Sequence, residues 1–424
     1  MKVKQLRISA VDALEILDSR GHPTVLAQVS LSDGSQGGAM VPSGASTGQY
    51  EAHEKRDGDA GRYGGKGVTA AVEAVRGEIA AVLVGMIAEQ EAVDRRLCRL
   101  DGTSDKSRLG ANALLAVSLA TARALAKAHG VPLWQWLAPS DPRRLPCPMM
   151  NVLNGGAHAA NNLDIQEFMI VPQGLPTLSE AVRCGAEIYH VLGDLLRKKG
   201  LATAVGDEGG YAPDLPSDEA ALELLCEAIR QAGYDTDHVR IALDVAASEW
   251  VTDEGYRLPK QGVAMTREQL SEKWKELAEK WPLISIEDPF GDDDRRGWQQ
   301  LTAEIGGKLL LVGDDLFVTQ EHRVSKGATE GIANAVLVKP NQVGTLTETL
   351  ATVRSARASG YVPILSHRSG DTEDPLIADL AVALGTPFIK TGAPCRAERT
   401  AKYNRLLAIE HALDLQADFG GSYR

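Results

Sequence analysis

Six short apolar runs, each ending in a side chain able to do chemistry, constrain this chain more than any other feature. Arg240-Ile241-Ala242-Leu243 ends at Asp244, Leu283-Ile284-Ser285-Ile286 at Glu287, and Leu309-Leu310-Leu311-Val312-Gly313 at Asp314. Ala335-Val336-Leu337-Val338 ends at Lys339, Val362-Pro363-Ile364-Leu365-Ser366 at His367, and Pro387-Phe388-Ile389 at Lys390. The intervals between the six end residues are 43, 27, 25, 28 and 23. Most of them fit one strand, one helix and two loops. Buried parallel strands read as continuous apolar runs, and helices must carry the chain back between them. Strands alternating with helices at this period predict an α/β fold with a (β/α)8-type barrel. In such a barrel the C-terminal strand ends converge on one face, so the six residues point into one mouth. Any one of them alone reads equally well as a solvated loop charge. Six in register do not.

Ahead of this pattern the chain has a different texture. At 424 residues it is too long for one ordinary core. Residues 25–31 read as a strand and 32–35 as a turn. A glycine-rich run follows, from Gly37 to Gly67. Helices are expected over about 68–84 and 111–129, the second stopped by Gly130. Five prolines between Pro132 and Pro148 mark a boundary. These features predict an N-terminal α+β capping domain over 1–138 and a catalytic barrel domain over 146–424.

The net charge of −12 argues against a general nucleic-acid or membrane-surface partner. No G-x-x-x-x-G-K or G-x-G-x-x-G motif supports nucleotide binding. The five cysteines (98, 147, 184, 226 and 395) are odd in number and widely spaced. That points to a reducing cytoplasm rather than a disulfide framework. No signal peptide or spanning helix is evident.

Asp244, Glu287 and Asp314 in one mouth would resist joint ionisation. A hard cation relieves this, and Mg²⁺ takes a few carboxylates while leaving room for substrate oxygens. The competing reading pairs each carboxylate with Lys339, Lys390 or Arg368 as a structural ion pair. A lysine near divalent cations has its ammonium disfavoured and can act as a base, while the other stays protonated against an anion. His367-Arg368-Ser369 offers a planar guanidinium fork for phosphate. Upstream lie Asn154-Gly155-Gly156-Ala157-His158, Gln166-Glu167 and Gly206-Asp207-Glu208-Gly209-Gly210. Alone, the last is an ordinary turn; beside a lysine base, Glu208 becomes a candidate general acid. Together these groups suit proton abstraction next to a carboxylate, with charge on its oxygens stabilised by cations and a β-leaving group released with acid assistance.

The same stretches carry a family resemblance. Residues 41–48 (V-P-S-G-A-S-T-G), 56–59, 154–158, 166–170, 206–210, 243–246, 285–290 (S-I-E-D-P-F), 313–316, Lys339 with Asn341-Gln342, 366–370 and 389–392 occur in the order found in enolases. The chain resembles an enolase along nearly its whole length. The resemblance implies reversible, Mg²⁺-dependent dehydration of 2-phospho-D-glycerate to phosphoenolpyruvate, with two Mg²⁺ per site. It implies Lys339 as base and Glu208 as acid with Glu167 beside it. Asp244, Glu287 and Asp314 would hold the first Mg²⁺, and Ser46 on the glycine-rich loop would help bind the second. Arg368 and Ser369 would take the phosphate and Lys390 the carboxylate. His158 and His367 would line the pocket, and Gln166 would contact substrate or its surroundings. A homo-oligomer, dimer or octamer, is also implied. Three stretches depart from the family pattern. Leu26 replaces a Glu of the subunit contact, Ala159-Ala160 replaces Asp-Asn, and Pro340 follows the base.

Three other readings compete with this one. Gly44-Ala45-Ser46-Thr47-Gly48 fits the G-x-S-x-G pattern, but a nucleophile elbow needs a buried strand before it, and Pro42 breaks that run. A superfamily lyase acting on another α-hydroxy or phosphorylated acid is the nearer rival; the clamp at 366–370 and Glu208 favour a phosphorylated hydroxy acid. A noncatalytic binding role sits poorly with a full set of charged residues, since buried unpaired charge is costly.

Overall fold

The computed structural model describes residues 5–44, 48–138 and 143–419. Its first three strands, β1 (Ile8–Leu17), β2 (Pro23–Leu31) and β3 (Gln36–Met40), form an antiparallel sheet in sequence order. In β2, Val25, Ala27, Val29 and Leu31 are buried and alternate with more exposed residues, so one face packs inward. Tight turns join the strands. Asp18 Oδ1 accepts from the Arg20 and His22 amides at 2.8 and 2.9 Å. The 32–35 turn forms as expected, with an Asp33 side chain capping Ser35.

A helical stretch follows as α1 (Thr69–Ala74), a π-helical turn (Val75–Ile79) and α2 (Ala80–Leu83). It corresponds to the helix expected over 68–84. Then come α3 (Gln90–Asp101), α4 (Ala111–Ala128) and a short α5 (Leu133–Trp136). α4 is apolar on nearly every side and correspondingly buried on nearly every side. It lies against the sheet so closely that a Cβ on Gly37 of β3 would stand 2.3 Å from the Ala120 carbonyl oxygen.

After a two-residue strand, β4 (Arg144–Leu145), the chain enters a closed eight-stranded barrel. Its strands are β5 (Cys147–Asn154), β6 (Glu167–Val171), β7 (Arg240–Asp244), β11 (Leu283–Glu287), β12 (Leu310–Gly313), β13 (Ala335–Val338), β14 (Val362–Ser366) and β15 (Phe388–Lys390). Two helices, α6 (Leu178–Lys198) and α7 (Asp218–Gln231), separate β6 from β7. From β11 onward one helix follows each strand: α9 (Arg295–Ile305), α10 (Glu321–Glu330), α11 (Leu346–Ala358), α12 (Leu376–Leu384) and α13 (Ala397–Leu413). The long interval from Asp244 to Glu287 holds an extra small sheet, β8 (Val251–Thr252), β9 (Gly255–Arg257) and β10 (Ala264–Met265), before α8 (Arg267–Lys280). A last strand, β16 (Asp418–Phe419), pairs with β4.

The barrel refines the expected (β/α)8 pattern in one respect. β6 runs antiparallel to both its neighbours, while the other strand pairs are parallel. A reversed strand presents its first residue, not its last, to the active face. Glu167 pairs with Asp244 on one side and Asn154 on the other. Met149, Met169, Ala242, Val312, Leu337 and Ile364 fill the barrel interior as a core of their own.

The two parts are joined at the mouth. Ser43 and Gly370 exchange backbone hydrogen bonds of 2.7 and 2.9 Å. Arg123 of α4 grips Asp374 with both terminal nitrogens, at 2.7 and 2.5 Å.

Candidate active site

Asp244, Glu287 and Lys390 are the last residues of their strands, and Asp314, Lys339 and His367 stand one residue beyond theirs. All six surround the barrel mouth. A cavity of about 260 Å³ is lined by Lys339, Lys390, Asp244, Asp314, Glu167, Glu208, Gln166, His158, His367, Arg368 and Ser369, among others. Among the residues expected at the site, Ser46 alone lies outside the described residues.

Lys390 reaches into the acidic cluster. Its Nζ donates to Asp244 Oδ2 at 2.9 Å and to both Glu287 oxygens at 2.9 and 3.0 Å, and lies 3.3 Å from Glu167 Oε2. Burial opposes its charge, but Asp244, Glu167 and Glu287 outweigh burial and hold the ammonium well above its ordinary range. Lys339 donates to Asp314 Oδ2. Burial again opposes the charge, and the Asp314 carboxylate again wins, so the ammonium is raised. The structural ion pairs weighed from the sequence are therefore formed. They do not displace the metal reading, because two ammonium groups leave the acidic cluster short of positive charge. Glu287 still has its carboxyl pushed up to about 8, first by burial and then by Asp244.

The donor set fits Mg²⁺, which prefers carboxylate oxygens to nitrogen or sulfur. Asp244 and Glu287 face each other across paired strands, and Gln342 Nε2 donates to Asp314 Oδ1 at 3.0 Å, orienting the third carboxylate. Among the described residues, the groups of three that bring ligand atoms within 4.8 Å of one another are Asp288 with Asp314 and Asp315, and His158 with Glu167 and Glu208, whereas Asp244, Glu287 and Asp314 stand around the Lys390 and Lys339 ammonium groups. Asp288 accepts from the Asp314 and Asp315 amides at 2.9 and 3.0 Å, so it acts as the brace of the Asp314 turn.

Across the cavity, Glu167 and Glu208 form a buried carboxyl pair. His158 Nδ1 lies 3.5 Å from Glu167 Oε1 and 4.0 Å from Glu208 Oε1. Asn151 Nδ2 donates to Glu208 Oε2 at 3.0 Å, and His367 Nε2 faces the same oxygen at 3.4 Å. Burial and then the neighbouring Glu208 hold the Glu167 carboxyl well above its usual range. Burial pushes Glu208 up too, but the two histidines more than reverse it and leave it well below. The two carboxyls of the pair are thus pushed in opposite directions, Glu167 up and Glu208 down. Burial also lowers His367 to about 4, so its ring is neutral near neutral pH.

Arg368 meets an internal anion. Its Nη1 and Nη2 donate to the two Glu51 oxygens at 2.9 and 3.2 Å, and Nη1 also to Asn341 Oδ1 at 3.1 Å. Glu51 comes from the N-terminal part, within the glycine-rich run and three residues after Gly48.

Two family models match this chain. "Enolase, N-terminal domain" covers residues 8–137 and "Enolase, C-terminal TIM barrel domain" covers 142–424. The enolases of Mycobacterium leprae (strain TN) and Kineococcus radiotolerans are each 54% identical over 417 residues, spanning 98% of this chain and 96% of theirs. The chain belongs to the enolase family.

Every described residue that the family resemblance selected lines the cavity or meets a residue that does. Sequence reasoning missed four enolase-site residues that shape these groups: Glu51, Asn151, Asp288 and Arg399. Asp288 was visible inside the S-I-E-D-P-F stretch, and Asn151 as the lone polar residue in Met149-Met150-Asn151-Val152-Leu153. Nothing local marks Glu51 or Arg399. Pro340 does what its chemistry predicts, leaving Lys339 extended at φ −120° and ψ 104°.

Proposed function

We propose that this cavity dehydrates 2-phospho-D-glycerate to phosphoenolpyruvate, reversibly and with Mg²⁺, as a carbon–oxygen hydro-lyase of glycolysis and gluconeogenesis. The observation that carries it is the convergence of two lysines, three acidic strand-end residues, a carboxyl pair and an arginine on one barrel mouth. Enolase-superfamily sites pair a Lys or His base with one or two Mg²⁺ ions.

In this reading Lys339 Nζ takes the C2 proton, and the electron pair left on C2 becomes the C2–C3 double bond as the C3–O bond breaks. The leaving hydroxyl departs as water with a proton from the Glu208–Glu167 pair. Arg368 and Ser369 hold the phosphate, Lys390 meets the substrate carboxylate, and Gln166, His158 and His367 shape the wall. Asp244, Glu287 and Asp314 would hold Mg²⁺, whose positive charge would offset these carboxylates and that of the substrate and so bring the Lys339 pKa down toward a usable base. Ser46 belongs to the second Mg²⁺ position by family pattern.

The division into a capping domain over 1–138 and a barrel domain over 146–424 goes with this reading. So does a homo-oligomer, supported by an apolar row on the open face of the N-terminal sheet. All five cysteines are unpaired, which supports a cytoplasmic setting. No helix among the described residues is long and apolar enough to cross a membrane.

The deciding measurement is ultraviolet absorbance of the enol phosphate after adding Mg²⁺ and 2-phosphoglycerate. Growth of the band, its absence with unphosphorylated glycerate, and its reversible loss on chelation are expected. Turnover of unphosphorylated acids in preference to 2-phosphoglycerate would point instead to a divergent lyase.

A further inference from the structure

Arg399 lies in the first turn of α13 and is fully buried. Its Nη1 donates to His367 Nδ1 and, at 2.6 Å, to the Arg368 carbonyl oxygen. Its Nη2 donates to the carbonyl oxygens of Ser369 at 2.6 Å and Asp207 at 3.2 Å. One guanidinium therefore ties the phosphate-clamp segment to the loop that carries Glu208. The loop is fastened a second time where the Ala393 amide donates to the Glu208 carbonyl at 2.9 Å. The close approach depends on Gly392, at φ +79°: a Cβ there would stand 2.8 Å from both Arg399 Cδ and the Glu208 carbonyl oxygen.

A guanidinium has five N–H donors and no acceptor. His367 Nδ1 must therefore present its lone pair to Arg399, which leaves the ring proton of a neutral imidazole on Nε2. The tautomer of a histidine is set by the bond its other nitrogen makes. That Nε2 proton faces Glu208 Oε2. The charge of Arg399 is balanced by Glu398, 3.4 Å away, and by Asp371, 3.8 Å away, which Lys402 also binds at 2.9 Å.

We propose that Arg399 is a positioning residue of the dehydration step: it fixes His367 as the Nε2–H tautomer and so aims a hydrogen-bond donor at Glu208 while holding the Glu208 loop against the phosphate clamp. Without it, His367 can turn a lone pair toward the Glu208 carboxylate, and the two repel. The proposal rests on Glu208 belonging to the acid pair, an assignment that Glu208→Gln tests separately.

Neutron diffraction of the wild-type protein reads the tautomer directly and does not depend on any variant folding. A proton on Nε2 of His367 is expected, and one on Nδ1 alone overturns the proposal. Arg399→Met and Arg399→Lys then test function. Arg399→Met is expected to lower dehydration roughly a hundredfold, the lower end of what a positioned acid contributes, while C2 proton exchange with solvent falls only a few-fold. Arg399→Lys retains a donor at Nδ1 and is expected to recover most of the loss. Equal loss of exchange and dehydration in Arg399→Met, or no recovery in a folded Arg399→Lys, would make Arg399 a structural residue only.

Discussion

A lysine ammonium and a divalent cation compete for the same carboxylates at the mouth, and Glu287 reports the outcome. Its carboxyl is pushed from an ordinary 4.5 up to about 8. Between those values the folded metal-free protein holds a proton that the unfolded chain has lost. This group therefore lowers the stability of the metal-free protein as pH rises through that window. Mg²⁺ must displace the same proton. Its apparent Kd is expected to rise as pH falls below about 8, by up to about tenfold per unit, with proton release visible by calorimetry in buffers of different ionisation enthalpy. A Kd that stays flat from about pH 8 to about pH 6 would exclude Glu287 as a ligand. Catalytic roles separate at this scale too. Lys339→Ala is expected to abolish C2 exchange while substrate still binds, a loss of at least about 10²–10⁴ in rate. Glu208→Gln should keep some exchange and block dehydration. Normal dehydration by Glu208→Gln would remove it from the acid pair.

At the scale of elements, the segment around Glu51 behaves as an internal stand-in for substrate. Its carboxylate fills the guanidinium fork proposed above for the phosphate, so in that reading substrate would exchange with it. The Gly48 amide donates to Glu51 Oε1 at 3.0 Å, so this exchange also loosens the end of the glycine-rich loop. Glu51→Gln removes the competing charge and leaves Arg368 buried beside a neutral group. Inorganic phosphate is expected to bind this variant roughly tenfold more tightly, since a charge-assisted hydrogen bond contributes about 1.5–3 kcal/mol. The melting temperature should fall without phosphate and recover with it. Weaker phosphate binding would refute the stand-in role. What the sequence disclosed follows the same physics. Asp244, Glu287, Asp314, Lys339, His367 and Lys390 were legible because a buried parallel strand is a continuous apolar run with its chemistry at one end. The direction of β6 was not, because Phe168-Met169-Ile170-Val171 reads the same way along either direction. Gln166 and Glu167 came from the family pattern, since on a reversed strand the polar pair precedes the run. Arg399 and Glu51 act through contacts spanning 32 and 317 residues, which no periodicity encodes.

Across the whole molecule, the N-terminal sheet has one face on α4 and one face open. On the open face Leu14 pairs with Leu26, and Leu26 with Met40, giving an apolar row across three strands. Leu14 is 46% exposed, and Leu26 stands where the family has a glutamate of the subunit contact. A charge there would need a partner across an interface; a leucine needs only apolar surface, and an isologous contact would supply it from the same row on a second copy. The site residues described above come from one chain, so losing the contact should separate assembly from chemistry. Leu14→Glu combined with Leu26→Glu places like charges directly opposite each other on both copies. Light scattering is expected to show a multiple of 45.3 kDa for the natural chain and the single-chain mass for the double variant, with turnover per chain largely kept. An unchanged assembly in the double variant would place the interface elsewhere. A natural chain already at the single-chain mass would mean that the leucine at position 26 marks the loss of the subunit contact rather than its replacement.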